Sequence, residues 1–337
     1  IAKIIKEKSG VQAKVLGLGN ALVDILVRIP SDEILERFEM PRGSMQLVEA
    51  TNSAEIYNEI SHLNPSHVSG GSAANTIYGL ANLGIQTGMI GKIGKHDELG
   101  ASFLADLEQS GVEPHLFYSE DSSTGSCISL ISQDSERTMA TCLGAAIELT
   151  PEEIDPKIFD GYTHFYVEGY MVQNALLIEK TMKLAHEKGL CVCLDLASYN
   201  VVEDNLDFLK SLMTHYVDVV FANEEESTAF TGKEDLEALN EIGELVDIVV
   251  IKLGRRGSIV KVHDRVERVG IIAANSIDTT GAGDLYAAGF IYGMINNLPP
   301  KKSAEAGAIT SGNVIEVMGT KMDAQRWNNI RQALKSL

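Results

Sequence analysis

The sequence predicts an α/β fold, with a central, mostly parallel sheet, helices on both of its faces and a small β lid. Three observations predict it. Apolar strand-like segments alternate with helix-like segments along most of the 337 residues. Gly84 and Gly111 stand just past two of the helical segments, where a left-handed closing residue belongs. Short alternating runs joined only by turn residues interrupt the rhythm at two places. Strands separated by helices of roughly ten residues mark βαβ units and a parallel sheet, whereas alternating runs across a turn mark antiparallel ribbons.

Lys14–Gly19 reads as the first strand, Ser72–Leu83 as a helix, Thr87–Ile93 as a strand and Glu98–Gln109 as a helix. Strand Thr163–Val167, helix Ala175–Glu187, strand Leu190–Leu196, helix Asn205–His215 and strand Val217–Ala222 continue the series. Helices from about Glu224 and about Asp235 precede strand Ile248–Lys252. Ile259–Val262 and Val266–Ile271 form a hairpin around Asp264. Leu285–Ile295, Lys302–Glu316 and Asp323–Leu334 read as helices, with Pro299-Pro300 as a break, and Ile1 to Ala13 as a short helical or frayed tail. The two interruptions pair Val23–Ile29 with Gly43–Val48, and Gly125–Gln133 with Arg137–Cys142. Both ribbons are too small to fold alone and are expected to lie on the main body. The expectation is one domain, with the lid at about 24–49 and 115–143 and the core drawn from 12–23, 50–114 and 144–337.

A net charge of −19 argues against a nucleic-acid groove or an anionic membrane surface, both of which need a positive field. It leaves room for a phosphate ligand held by a few local donors. The four cysteines show no zinc spacing and read as reduced core thiols of a cytoplasmic protein. No apolar run approaches the roughly 18 residues of a membrane span.

Asp278-Thr279-Thr280-Gly281-Ala282-Gly283-Asp284, followed by an apolar helical run, carries the most chemistry. Gly281, Ala282 and Gly283 leave successive backbone N–H groups bare at the positive end of a helix, a ready anion site. Asp284 stands at its edge, where a carboxylate is repulsive unless it takes a proton from a hydroxyl that attacks phosphorus. A glycine turn with a surface cap has the same signature. Gly70-Gly71-Ser72-Ala73-Ala74-Asn75 permits close backbone approach, with the Asn75 amide offered to a polar ligand or Ser72 serving merely as a cap. After the first strand, Leu22 breaks a GxGxxG fingerprint begun by Gly17 and Gly19, which disfavours a dinucleotide-dependent dehydrogenase. Asn20 and Asp24 suit vicinal hydroxyls there, or form an Asx turn. Asn223-Glu224-Glu225-Glu226 follows an apolar strand and either holds hydrated Mg²⁺ or dresses a helix N-terminus. Lys252, Gly254 and Gly257 run from a strand into a turn that is a nucleotide edge or a plain β-turn. No Walker A loop is present. Tyr170 reads as an aromatic against a base or lid, or as a core tyrosine.

In their order along nearly the whole chain, these motifs resemble the ribokinase-like (PfkB) family of carbohydrate and nucleoside kinases. Gly19–Asp24, Gly43–Val48 and Glu136–Ala146 look most like its adenosine-kinase branch, from which Ala21 departs where a Pro commonly stands. The resemblance implies an ATP- and Mg²⁺-dependent kinase of a primary hydroxyl on a nucleoside or sugar. It implies Asp284 as base, Gly281 to Gly283 as anion hole, and Arg137 as the lid's arm to the phosphates. Asn20, Asp24, Gly70, Gly71 and Asn75 would hold the sugar, and Asn223 with Glu226 would hold Mg²⁺ and its waters. Lys252, Gly254, Gly257 and Asn313 would border ATP, and Asp278 would belong to a loop for a monovalent cation such as K⁺. A ribokinase- or fructokinase-type sugar kinase and a non-catalytic sensor are the rivals. The expected partner is a small molecule, with the protein a monomer or a homodimer through the lid.

Overall fold

The computed structural model describes residues 12–134 and 136–337. The expected tail from Ile1 to Ala13 lies outside the described residues except for its last two, which are not helical. Among the described residues nine strands form one large sheet. Edge to edge they are Arg265–Val269, Ser258–Val262, Ile248–Lys252, Val219–Asn223, Cys191–Asp195, His164–Glu168, Lys14–Leu18, Gln86–Gly94 and Val112–Ser119. From Ile248–Lys252 onward all neighbours are parallel, and the first two strands add the antiparallel hairpin expected around Asp264.

The central strands read as unbroken apolar runs because helices cover both their faces. On one face, helices Ala175–Glu187, Leu206–Tyr216 and Asp235–Ile242 bury Leu177, Leu209 and Ile242 against Leu194 and Val220. On the other, helices Ser72–Asn82, Glu98–Gln109, Ala282–Ile295 and Pro300–Val314 bury Ile77, Phe103, Phe290 and Ala304 with Phe221. Close helix contact on this second face depends on small residues. A Cβ on Gly79 would lie 2.8 Å from Ala288 Cβ, so Ser72–Asn82 and Ala282–Ile295 touch nearly backbone to backbone. Overpacking there would cost about 1–3 kcal/mol. Helix Ala324–Lys335 braces the same region from behind: Trp327 Nε1 donates to Tyr78 Oη at 3.2 Å, and Arg331 donates to the Asn82 carbonyl at 2.6 Å.

The lid is a five-stranded sheet in the order Met45–Leu47, Arg137–Gly144, Thr124–Ile131, Leu22–Arg28, Ser66–Gly70. The ribbon Gly125–Gln133 with Arg137–Cys142 forms as expected. The other ribbon does not. Leu22–Arg28 pairs with Ser66–Gly70 and with Thr124–Ile131, whereas Met45–Leu47 pairs with Arg137–Gly144 at the far edge. The lid boundaries move accordingly: Ser66–Gly70 lies in the small sheet, and Val112–Ser119 is an edge strand of the large one. Helix Ala50–Ile60 covers the lid's outer face, where Ile56 and Ile60 pack on Ile25, Val27, Ile128 and Leu130. That face is therefore covered by the chain itself.

Candidate active site

The parallel strands of an open α/β sheet present ligands at their C-terminal ends. Here those ends deliver Glu168, Asp195, Asn223 and Lys252, and Asn20 follows Leu18. The lid stands over them, and a cleft of about 1260 Å³ lies between.

Asp284 occupies the middle of this cleft, as the third residue of helix Ala282–Ile295. Gly281 precedes the helix with φ of 69°, and a Cβ there would collide with Thr320. The Asp284 carboxylate accepts from Ser72 Oγ at 2.7 Å and from Asn75 Nδ2 at 3.0 Å. Thr320 Oγ1 donates in turn to Asn75 Oδ1 at 3.0 Å, which fixes the amide's orientation. Burial pushes the Asp284 carboxyl up to about 6, against the lowering effect of the Asn75 and Ser72 hydrogen bonds. It is a partnered, oriented carboxylate on the cleft wall.

Asp24 faces the same space from the lid. Its carboxylate makes no hydrogen bond among the described residues, and Gly70 leaves room for it, since any Cβ there would strike the Asp24 oxygens. Burial pushes Asp24 up to about 7, with Arg137 opposing and Asp284 and Asp278 adding to the rise. Gly71, with φ of 92°, sits so close to the Asn20 carbonyl that a Cβ is excluded. Gly70 itself lies behind Asp24 rather than on the cleft wall.

The opposite end of the cleft holds Asn223, Glu226, Lys252, Gly254 and Gly257. Lys252 pairs with Asp195 at 2.9 Å, and a Cβ on Gly283 would lie 3.1 Å from its Nζ, so the ammonium borders the bare-amide turn. Burial works to lower Lys252, yet the Asp195 and Glu226 carboxylates outweigh it and hold the ammonium above its usual range. Asn223 and Glu226 form a reciprocal capping box: Glu226 accepts from Asn223 N at 2.8 Å and Nδ2 at 2.7 Å, while Asn223 Oδ1 accepts from Glu226 N at 2.8 Å. The pair therefore caps the helix Glu224–Thr231 as the N-terminal reading of the motif expects. Burial pushes Glu226 up to about 7, with Lys252 opposing. No trio of His, Cys, Asp or Glu forms a metal cage among the described residues. Carboxylates of Asp195, Glu225 and Glu226 do line this end, a donor set that fits a largely hydrated Mg²⁺ carried on nucleotide phosphates.

Three candidate residues are held by neighbours within the protein. The Asp278 carboxylate is fully engaged by protein: it accepts from Arg137 at 3.2 Å, from Thr280 N and Oγ1 at 3.0 and 2.6 Å, and from Gly319 N at 2.8 Å. It anchors the turn and the lid arginine. Asn313 turns away from the cleft toward Arg326, which donates to its backbone and side-chain oxygens, and Ser311 and Gly312 line the wall in its place. Arg137 does reach the cleft, but it rests on Asp278 and Met139 Sδ, with Nε left without a partner. Tyr170 lines the cleft and donates weakly to the Ala197 carbonyl at 3.5 Å. The sequence reading missed Glu168 and Asp195, buried acids at strand ends, and assigned Ser72 only a capping role.

Fold and cleft together define a phosphotransferase with an alcohol acceptor. The model of pfkB family carbohydrate kinases matches residues 45–326. A probable sugar kinase from Rhizobium etli CFN 42 superposes with a TM-score of 0.88 at 30% identity, covering 96% of this chain and 99% of its own. Adenosine kinase from Sinorhizobium meliloti superposes with a TM-score of 0.87 at 31% identity, covering 96% and 100%. Saccharomyces cerevisiae adenosine kinase is 26% identical over 337 residues, 93% of this chain and 98% of that protein. The chain belongs to the pfkB carbohydrate kinase family, near its adenosine-kinase branch, and is a nucleoside or sugar kinase.

Proposed function

We propose that the protein transfers the terminal phosphoryl group of ATP to the primary hydroxyl of a nucleoside, with an adenosine-like acceptor first. The observation that carries this is the pairing of two carboxylates with different surroundings: Asp284, held by Ser72 and Asn75, and Asp24, bare of protein donors. Asp24 accepts from vicinal sugar hydroxyls, two of which one carboxylate can serve. Asp284 accepts the proton of the primary hydroxyl as its oxygen bonds to the terminal phosphorus. The bond to the bridging oxygen breaks and ADP leaves.

Phosphoryl transfer needs alignment and charge neutralisation more than covalent help. The amides of Gly281 and Gly283 and the Lys252 ammonium supply donors on one side, and the Arg137 guanidinium, which reaches the cleft wall, supplies positive charge on the other. Asn223 and Glu226 would hold Mg²⁺ through its waters, and the ion when bound neutralises the phosphate oxygens. Lys252, Gly254 and Gly257 border the nucleotide. Asp278 positions Arg137, and any K⁺ dependence would act through the turn it anchors. Leu22, Met45, Leu47, Met139, Leu143 and Tyr170 line an apolar stretch beyond the sugar residues, a surface suited to a flat base and idle with a free sugar. The polar group of Asn20, Asp24 and Asn75 would also serve a free sugar, which is the second reading.

ATP consumption measured across a panel of nucleosides and sugars tests the proposal. Adenosine or a related nucleoside should give the highest kcat/KM. A sugar that outperforms every nucleoside would move the assignment to the second reading, and no turnover with any acceptor would overturn both.

A further inference from the structure

Glu168 is buried to 1% exposure at the end of strand His164–Glu168, and none of the chemistry above uses it. Its carboxylate collects three donors. Oε1 accepts from Asn20 N and Asn20 Nδ2, both at 2.9 Å, and Oε2 accepts from Ala73 N at 2.8 Å. Helix Ser72–Asn82 begins after Gly71, which has no side chain to cap the first turn, and no local cap is made. Gly71 must be glycine because the Asn20 carbonyl occupies the place of a Cβ. Gly19 must be small as well, since a Cβ there would meet the Glu168 carboxylate and lie 2.6 Å from Ala73 Cβ. A remote acid thus replaces the absent cap; burial pushes its carboxyl up to about 7, against the lowering effect of the Ala73 and Asn20 hydrogen bonds.

We infer that Glu168 is a positioning residue for the acceptor alcohol, clamping Asn20 on one side and the helix start that bears Ser72 and Asn75 on the other. Through Ser72 and Asn75 the clamp sets where the Asp284 oxygens point, and through Asn20 it sets the sugar side of the site. The nucleotide end, built on Asn223, Lys252 and Gly254, touches none of these bonds. The inference rests on the proposed acceptor site, and wild-type turnover on the panel separates a failure of that reading from a failure of this one.

The test is Glu168→Gln, which keeps shape but turns an NH₂ toward one of the three N–H donors. KM for adenosine, or for whichever panel member the wild type phosphorylates, should rise roughly 10-fold or more, while KM for ATP stays within about twofold. Amide exchange at Ala73 in the ligand-free protein should accelerate by a similar factor, with the melting temperature little changed. Equal losses at both substrate ends, or unchanged acceptor KM and Ala73 exchange, would overturn the inference. Should Glu168→Gln fail to fold, Glu168→Asp, which keeps the charge but is too short to span both partners, is read by the same criteria. Its failure to fold as well would make Glu168 a requirement of the fold and end the proposal.

Discussion

Ser72 Oγ donates to Asp284 Oδ1 at 2.7 Å although 212 residues separate the two in the chain. Each lies in the first turn of its own helix, so two positive helix ends meet on one carboxylate. Burial is the largest cause raising the Asp284 carboxyl. The hydrogen bonds from Asn75 and Ser72 oppose that, and the balance leaves a base that is ionised at pH 7 yet still basic enough to take a proton.

Asp284→Asn removes the proton acceptor while retaining its shape. The kcat should fall at least about 10²-fold, with both KM values within a few fold, because general-base catalysis contributes roughly 10²–10⁴. Steady-state kinetics decide it, and a variant with most of its activity would remove Asp284 from the chemistry.

The acidic limb of the pH profile follows from the same group. Asp284 is raised to about 6, so it is protonated and useless as a base below that value and becomes competent as pH rises through it. Plotted as kcat/KM for the acceptor, activity should climb from pH 5 to about 7, with Asp24, raised to about 7, steepening the upper part. A flat profile over that window would contradict the assignment.

Arg137→Ala cuts the link between the lid and the Asp278 turn and removes a guanidinium from the cleft wall. The kcat should fall by roughly 10- to 100-fold while the acceptor Kd, measured calorimetrically without nucleotide, changes less. An unchanged kcat would mean that the arginine only supports Asp278.

Asp24→Asn separates stability from function. The folded-state value of about 7 lies above the ordinary 3.8, so folding favours the protonated acid. That contribution is complete below about pH 4 and is lost as pH rises through 7. At pH 8 the ligand-free variant should therefore melt higher than wild type, and the difference should vanish near pH 4. Its acceptor kcat/KM should drop by roughly 10²-fold or more as the sugar hydroxyls lose their acceptor. A variant melting lower than wild type at pH 8 would show that Asp24 is stabilised by contacts other than those described.

Much of the core was legible. Helices Glu98–Gln109 and Ala175–Glu187 have the bounds their apolar periodicity implies, and the turn at Gly281 was legible because only small residues leave amides bare. The lid was half legible. Alternation says which side chains share a face but not which strand lies alongside, and Met45–Leu47 found its partner in Arg137–Gly144 rather than in its sequence neighbour. Glu168 was illegible for a related reason. It ends an apolar strand with no motif around it, and its donors lie 95 and 148 residues away. Asn313 failed for want of its helix's rotation: close approach of Ile272 to Gly312 sets which side faces the cleft, and that contact joins distant segments.

The bond from Trp327 to Tyr78 gives helix Ala324–Lys335 a stake in events far from it. Tyr78 is two turns along from Ser72, so loosening the indole would tilt the rod that aims the acid. Fusions or proteolytic trimming near residues 324–335 should therefore dull phosphorylation well before they unfold the enzyme.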